Sequence, residues 1–372
     1  EIFLYNIVAT SLAKQNKFDE ATNTYRDLLL IDPNHTDALN NLAVISAGKG
    51  NINDAIANYK HVLKINPNYT EALSNLAYLL KSIGDISNAI EYYQKVFAIN
   101  KEDIRYAINA TLLIPPIIES HESIDLYRNK YKKGLISLKK YKSNLSNTVN
   151  IILPQTFFLS YHAKDNLEIM KSTSKLYRKI LPNINFISKN NNFKRKKIKI
   201  GFISQFLTMH TIGKLFGGLI KNLNNDKFEK VIFHTSQTKK DKMKDNIDYN
   251  VDKIINLKST IQEQQNQISQ ENLDILFYPD IGMSPTTYFL AFSRFAPVQI
   301  VSWGHPETTG IDTIDYFLSS SLFETNISKK NYSEKLICLN TFPIYYEPPK
   351  NIKLAKNRLD FNLPLKANLY AC

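Results

Sequence analysis

Cysteine is nearly absent: Cys338 and Cys372 are the only two in 372 residues, and they are far apart with no Cys-x-x-Cys spacing. Such a pair makes neither a disulfide framework nor a structural zinc site, and it suits a reducing, cytoplasmic compartment. Glycine is also sparse. None of the 11 falls into Gly-x-Gly-x-x-Gly or a P-loop, so the nicotinamide and nucleoside-triphosphate fingerprints are missing. Neither Asp-x-Asp nor His-Glu-x-x-His occurs, which leaves a metal-dependent mechanism without a visible ligand set. No apolar run approaches the length of a membrane span, since the greasiest, Leu112 to Ile118, is broken by Pro115 and Pro116. Acidic residues are the minority sign, 34 against 47 basic, for a net charge of +13. The lysines are scattered among abundant Asn and Ile, and the one dense cluster, Lys194-Arg195-Lys196-Lys197-x-Lys199, abuts a strand start and reads as a solvated boundary. We therefore expect no nucleic-acid or membrane partner.

What is present is, first, an internal repeat. Ala21, Ala55 and Ala89 are spaced by 34, as are Tyr25, Tyr59 and Tyr93; Asn16, Gly50 and Gly84 mark turns, and Pro33 and Pro67 close two units. This is the tetratricopeptide period, predicting helix pairs over residues 1–110 that stack into a superhelix with a concave groove. Asn41, Asn75 and Asn109 form a further column at the same period, on the first helix of each unit. A primary amide both donates and accepts, so a ladder of Asn can pair with successive peptide groups of an extended chain. Inter-repeat hydrogen bonding explains the same column equally well.

From 111 to 195 the register fades but Ile124 to Leu138, Phe157 to Ala163 and Leu167 to Leu181 keep helical spacing, predicting a helical connector in which His162 is a satisfied structural histidine. From 196 to 360, short β-rich runs beginning at Ile198, Val231, Ile254, Ile275, Val298, Tyr316 and Lys335 alternate with helical stretches. Such alternation predicts a Rossmann-like parallel sheet covered on both faces. The whole is thus an α plus α/β chain.

Chemistry-bearing residues gather where strands end. Ser204 to His210 follow the first strand and lead into a helix containing Lys214, a placement that suits proton transfer or anion contact. Tyr278-Pro279-Asp280-Ile281-Gly282 follow the fourth. After the fifth, Val298 to Trp303 switches into Gly304-His305-Pro306-Glu307-Thr308-Thr309-Gly310, a loop that offers close backbone approach, hydroxyls and an imidazole at the edge where such sheets bind ligands.

The segment Pro297-Val298-Gln299, Trp303-Gly304-His305-Pro306-x-Thr308-Thr309-Gly310, Asp315-Tyr316 and Tyr332-Ser333-Glu334-Lys335-Leu336 resembles the catalytic region of the tetratricopeptide-containing O-linked N-acetylglucosamine transferases, SPINDLY-like proteins and their bacterial family 41 relatives. Gly201-Phe202-Ile203-Ser204-x-Phe206-x-x-x-His210 resembles that family's first catalytic strand, with one extra residue before the His and Thr211 in place of the usual Pro. The segment Phe157 to His162 resembles one that precedes the catalytic domain in the bacterial relatives. The resemblance implies the N-terminal half of a two-domain GT-B enzyme, with residues 361–372 opening a second half that grips the nucleotide sugar; a chain ending at 372 would lack it and not turn over. It implies inverting, metal-free transfer of N-acetylglucosamine from its uridine-diphosphate carrier to Ser or Thr of an acceptor protein held in the repeat groove by Asn41, Asn75 and Asn109. His210 would lie at the donor and acceptor junction, and Asp280 would be a second candidate base. Trp303, Gly304, His305, Pro306, Thr308, Thr309 and Gly310, with Lys214, would bind substrate. A second family histidine corresponds to Asp274. The Gly-His-Pro form resembles the bacterial branches, which include asparagine-directed glucosyltransferases, so that activity is the alternative, as is a non-catalytic repeat scaffold.

Overall fold

The computed structural model describes residues 2–141, 156–189, 195–304, 307–347, 356–366 and 368. Six helices form three stacked pairs: α1 (Ile2–Lys14) with α2 (Phe18–Ile31), α3 (Thr36–Gly48) with α4 (Ile52–Ile65), and α5 (Thr70–Ser82) with α6 (Ile86–Ile99). α7 (Ile104–Leu112) begins a fourth unit. The 34-residue columns are the packing positions. Ala21, Ala55 and Ala89 are fully buried, where a larger side chain would hold the helices apart, and Tyr25, Tyr59 and Tyr93 are at most 2% exposed. Each buried ring contributes roughly 2 kcal/mol of transfer free energy. Asn16, Gly50 and Gly84 take positive φ of 62°, 82° and 85°, the left-handed turn between the two helices of each pair.

α8 (His121–Leu138), a 3-10 stretch at Thr156–His162 and α9 (Leu167–Ile180) make the connector. It packs into one core with the sheet domain: Tyr131, Leu135, Met170, Tyr177 and Ile180 share a cluster with Tyr278, Phe289, Phe292 and Phe317. The sheet is built from β1 (Ile198–Ile203), β2 (Phe228–His234), β3 (Lys253–Asn256), β4 (Ile275–Tyr278), β5 (Val298–Val301), β6 (Tyr316–Ser320) and β7 (Lys335–Leu339). All pairings are parallel, in the order β3-β2-β1-β4-β5-β6-β7. The crossover helices are α10 (Thr211–Asn222), α11 (Lys242–Tyr249), α12 (Ile261–Gln270) and α13 (Pro285–Leu290). The order reverses between β1 and β4, and a parallel sheet opens its ligand crevice at such a switch point, beyond the carboxyl ends of the strands.

Among the described residues no helix is long and apolar enough to cross a membrane. The basic cluster at the start of β1 is partly paired rather than free: the Lys199 ammonium sits 2.9 Å from Glu271 and 3.2 Å from Glu229. The start of a second half, expected at residues 361–372, is described only at residues 361–366 and 368.

Candidate active site at the carboxyl edge of the sheet

The loop after β1 is tied down from below. The buried Ser204 hydroxyl donates to Asp280 Oδ1, after β4, and accepts the Phe206 N–H at 2.9 Å. The chain then turns back on α10 so closely that a Cβ at Gly213 would fall 2.0 Å from the Thr208 carbonyl. His210 is the N-cap of α10: its Nδ1 accepts the Ile212 N–H at 3.2 Å, and its ring lies against Phe206 with centroids 4.6 Å apart. Burial, then the Lys214 ammonium one turn on, hold the imidazole below its ordinary pKa. With Nδ1 engaged as an acceptor, the neutral ring carries its proton on Nε2. His210 therefore carries a hydrogen-bond donor, Nε2–H, at the carboxyl edge of the sheet, beside the exposed Lys214 and the positive end of a helix.

Asp280 differs from expectation. It is fully buried, and burial pushes its carboxyl up to about 7, opposed only by the Ser204 hydroxyl. A base must reach its proton, and this carboxylate does not reach the surface. It is a support for the His210 loop. Asp274 is also placed away from the site, at the amino end of β4, where its carboxylate accepts the Lys199 N–H at 2.7 Å.

The loop after β5 is likewise mostly scaffold. Thr308 and Thr309, expected to line a sugar pocket, are at most 2% exposed. Thr308 Oγ1 donates to Glu334 Oε2 at 2.7 Å, and Thr309 donates its N–H at 2.8 Å and its hydroxyl to Oε1 of the same carboxylate. Gly304 and Gly310 allow close approach, but of protein rather than ligand. A Cβ at Gly304 would sit 2.1 Å from the Pro279 carbonyl, and one at Gly310, where φ is +68°, would sit 2.3 Å from the Met170 backbone. Trp303 is half-buried, donates Nε1–H to Ser319 Oγ at 2.9 Å, and forms an aromatic cluster with Phe323 and Phe342. His305 and Pro306 lie outside the described residues.

The connector reaches this loop, which the spacing of its helices did not announce. Arg128 of α8 donates to Asn166 Oδ1, and Asn166 Nδ2 donates to Glu307 Oε2 and, at 3.1 Å, to the Leu159 carbonyl. Burial pushes the Glu307 carboxyl up to about 7. His162, 5% exposed, is not the satisfied histidine expected, because neither ring nitrogen has a hydrogen-bond partner. Burial, Arg128 and Lys164 all favour its neutral form. Glu334 and Ser204 carried no assigned role in the sequence, although Glu334 belongs to the Tyr-Ser-Glu-Lys-Leu motif.

The asparagine column divides. Asn41 is partly exposed on α3, and Asn75 donates to Asn40 across the repeat boundary at 3.3 Å. Asn109 is 1% exposed and donates to its own helix at the Arg105 carbonyl, so it cannot hold a peptide in this conformation.

A family model described as Glycosyl transferase family 41 matches residues 159–346, and one described as Tetratricopeptide repeat matches residues 46–110. Two UDP-glucose:protein N-beta-glucosyltransferases of Actinobacillus pleuropneumoniae, from serotype 5b (strain L20) and serotype 7 (strain AP76), are each 31% identical over 108 residues. That match covers 29% of this chain and 17% of each relative. A mutant O-GlcNAc transferase of Thermobaculum terrenum superposes with a TM-score of 0.61 at 16% identity, covering 94% of this chain and 59% of that one. The chain thus spans less than two thirds of these relatives, and the structural likeness establishes a shared fold. With the family model spanning half of its length and containing both the His210 loop and the Glu334-anchored loop, the chain belongs to glycosyl transferase family 41.

Proposed function

We propose that this chain is the acceptor-holding and first catalytic part of a nucleotide-sugar-dependent protein glycosyltransferase. The observation that carries the reading is His210: a neutral imidazole donor, held by a cap and a ring contact over a buried Asp280–Ser204 support, beside Lys214 at the topological switch point. In an inverting transfer an acceptor atom attacks the anomeric carbon, the bond from that carbon to the diphosphate oxygen breaks, and the acceptor's proton leaves to a base. A fixed N–H and an ammonium at a helix N-terminus stabilise negative charge growing on oxygen, in place of a metal. His210 then acts as a donor to an oxygen at the donor and acceptor junction, not as the base.

The reading carried from the sequence is N-acetylglucosamine transfer from its uridine-diphosphate carrier to Ser or Thr of a protein in the repeat groove. One observation favours a second reading, glucose transfer to asparagine: the curated relatives are N-glucosyltransferases. The test is a panel of uridine-diphosphate sugars offered to the full gene product with Ser/Thr and Asn peptides, alongside His210→Ala. Turnover with one donor and one acceptor type, lost in the variant, names the reaction. No turnover with any donor, and no donor binding, would leave a repeat scaffold as the better account.

A further inference from the structure

The second helices of the repeats carry a recess on the side away from the asparagine column. Between α4 and α6 lies an open cavity of about 520 Å³, with Leu63, Leu73 and Ile99 as its apolar lining and Lys60, Lys64 and Lys95 at its rim. Leu73 and Asn75 stand two residues apart on α5, about 200° of helical turn, so the recess and the asparagine lie on different faces of that helix. No carboxylate lines the cavity. Lys95 is paired with Glu91 at 2.7 Å and lies 5.0 Å from the centre of the Tyr92 ring, whereas the exposed Lys60 and Lys64 make no ion pair among the described residues. Two uncompensated ammonium groups thus stand beside an apolar recess. The pattern recurs along the stack: Arg26 precedes Lys60 by one period, and Ile31, Ile65 and Ile99, each the last residue of its helix, are 49%, 40% and 45% exposed.

We propose that this outer face docks an acidic segment of a protein partner, which seats one large aliphatic side chain in the recess and sets its flanking carboxylates on Lys60 and Lys64. Charge complementarity selects that occupant. A second copy would bring the same lysines against these, and the net charge of +13 opposes such pairing. A bilayer surface does not enter a recess between two helices, and a nucleic acid has no aliphatic side chain to fill it. An acidic peptide supplies both parts, while the lysine stems cover apolar surface and keep their ammonium groups in water. The docking does not rest on the transfer reading, because it uses neither the sheet-edge loops nor the asparagine column and is measured without a sugar donor.

The probe is a fluorescein-labelled Gly-Ser dodecapeptide with a central Leu between two pairs of Glu, titrated into the protein by anisotropy. Exchanging Leu for Ala, or the Glu residues for Gln, should each weaken binding about 10-fold, and about 0.5 M salt should erase the preference for Glu. Lys60→Glu combined with Lys64→Glu should abolish the Glu preference, and Ile99→Ser should reduce the Leu preference. Lys14→Glu combined with Lys17→Glu, two exposed lysines outside the recess, should leave both preferences in place. All the substituted residues are exposed, and thermal melts report whether each variant is folded. No preference for Glu over Gln or for Leu over Ala, or an equal loss in the two double variants, would overturn the proposal. So would binding that Asn75→Ala removes and the Lys60, Lys64 variant keeps, since the peptide would then lie in the groove. A single-stranded oligonucleotide or phosphatidylserine vesicle that binds more tightly than the peptide, with the same dependence on Lys60 and Lys64, would also overturn it. Docking without turnover would overturn the transferase reading and leave this face; turnover without docking would do the reverse.

Discussion

The repeat stack and the sheet edge solve different packing problems. In α1 to α7 the buried side chains are nearly all apolar, the buried polar ones being Asn40 and Asn109, and each helix pair rests on its neighbours. At the carboxyl edge of the sheet, Ser204, Asp280, Thr308, Thr309 and Glu334 are all buried and bonded across long stretches of chain. A solenoid needs only nearest-neighbour contacts, so its polar groups face outward and remain available. A site built from the ends of several strands must hold loops that have no ladder of their own, and buried hydrogen bonds do that holding.

The comparison breaks most visibly in activity. His210→Ala should lower transfer by at least about 10²-fold while costing only about 1 kcal/mol as a lost cap, and His210→Asn should keep the cap but not the activity; steady-state rates and urea midpoints separate the two. Next come the close approaches. Gly304→Ala and Gly310→Ala each force a methyl into backbone, and each should destabilise the sheet domain by about 2 kcal/mol or more in urea unfolding. Glu334→Ala should cost about 3 kcal/mol because it strands three donors from Thr308 and Thr309 at once. By contrast Ala55→Leu in the stack should cost about 1–3 kcal/mol by overpacking, without altering the sheet's near-ultraviolet circular dichroism.

A smaller effect sharpens the comparison through pH. Asp280 and Glu307 are held at about 7 when folded, against ordinary values of 3.8 and 4.5. Between about 4.5 and 7 the folded chain then binds more protons than the unfolded one, so these two groups make stability fall as pH rises through that window and level off above it. Asp280→Asn should flatten the slope in urea midpoints taken at pH 5 and 7.5. Both raised carboxyls lie in the loops of the sheet domain, so the slope should accompany the unfolding step of that domain.

Legibility followed the same division. The repeat columns, the turn residues Asn16, Gly50 and Gly84, and the strand-helix alternation are all local spacings, readable because burial recurs at fixed periods. The site residues were readable as a set of loops but not as roles. Thr308 and Thr309 look like ligand hydroxyls in sequence, and only the return of Glu334 from the chain ahead of β7 turns them inward. Asp280 looks like a base until the Ser204 hydroxyl and the close packing of Gly304 enclose it. Asn109 shares a column with Asn41, yet it is buried and bonded to its own helix.

By itself the sequence determined the α plus α/β architecture, the 34-residue stack and the presence of chemistry at three strand ends, because periodicity and strand-to-loop switches depend on neighbours along the chain. The tertiary structure alone decided which of those groups face the crevice and which hold it, because that depends on contacts between residues about 25 to 140 apart, such as Glu334 with Thr309 and Asn166 with Glu307.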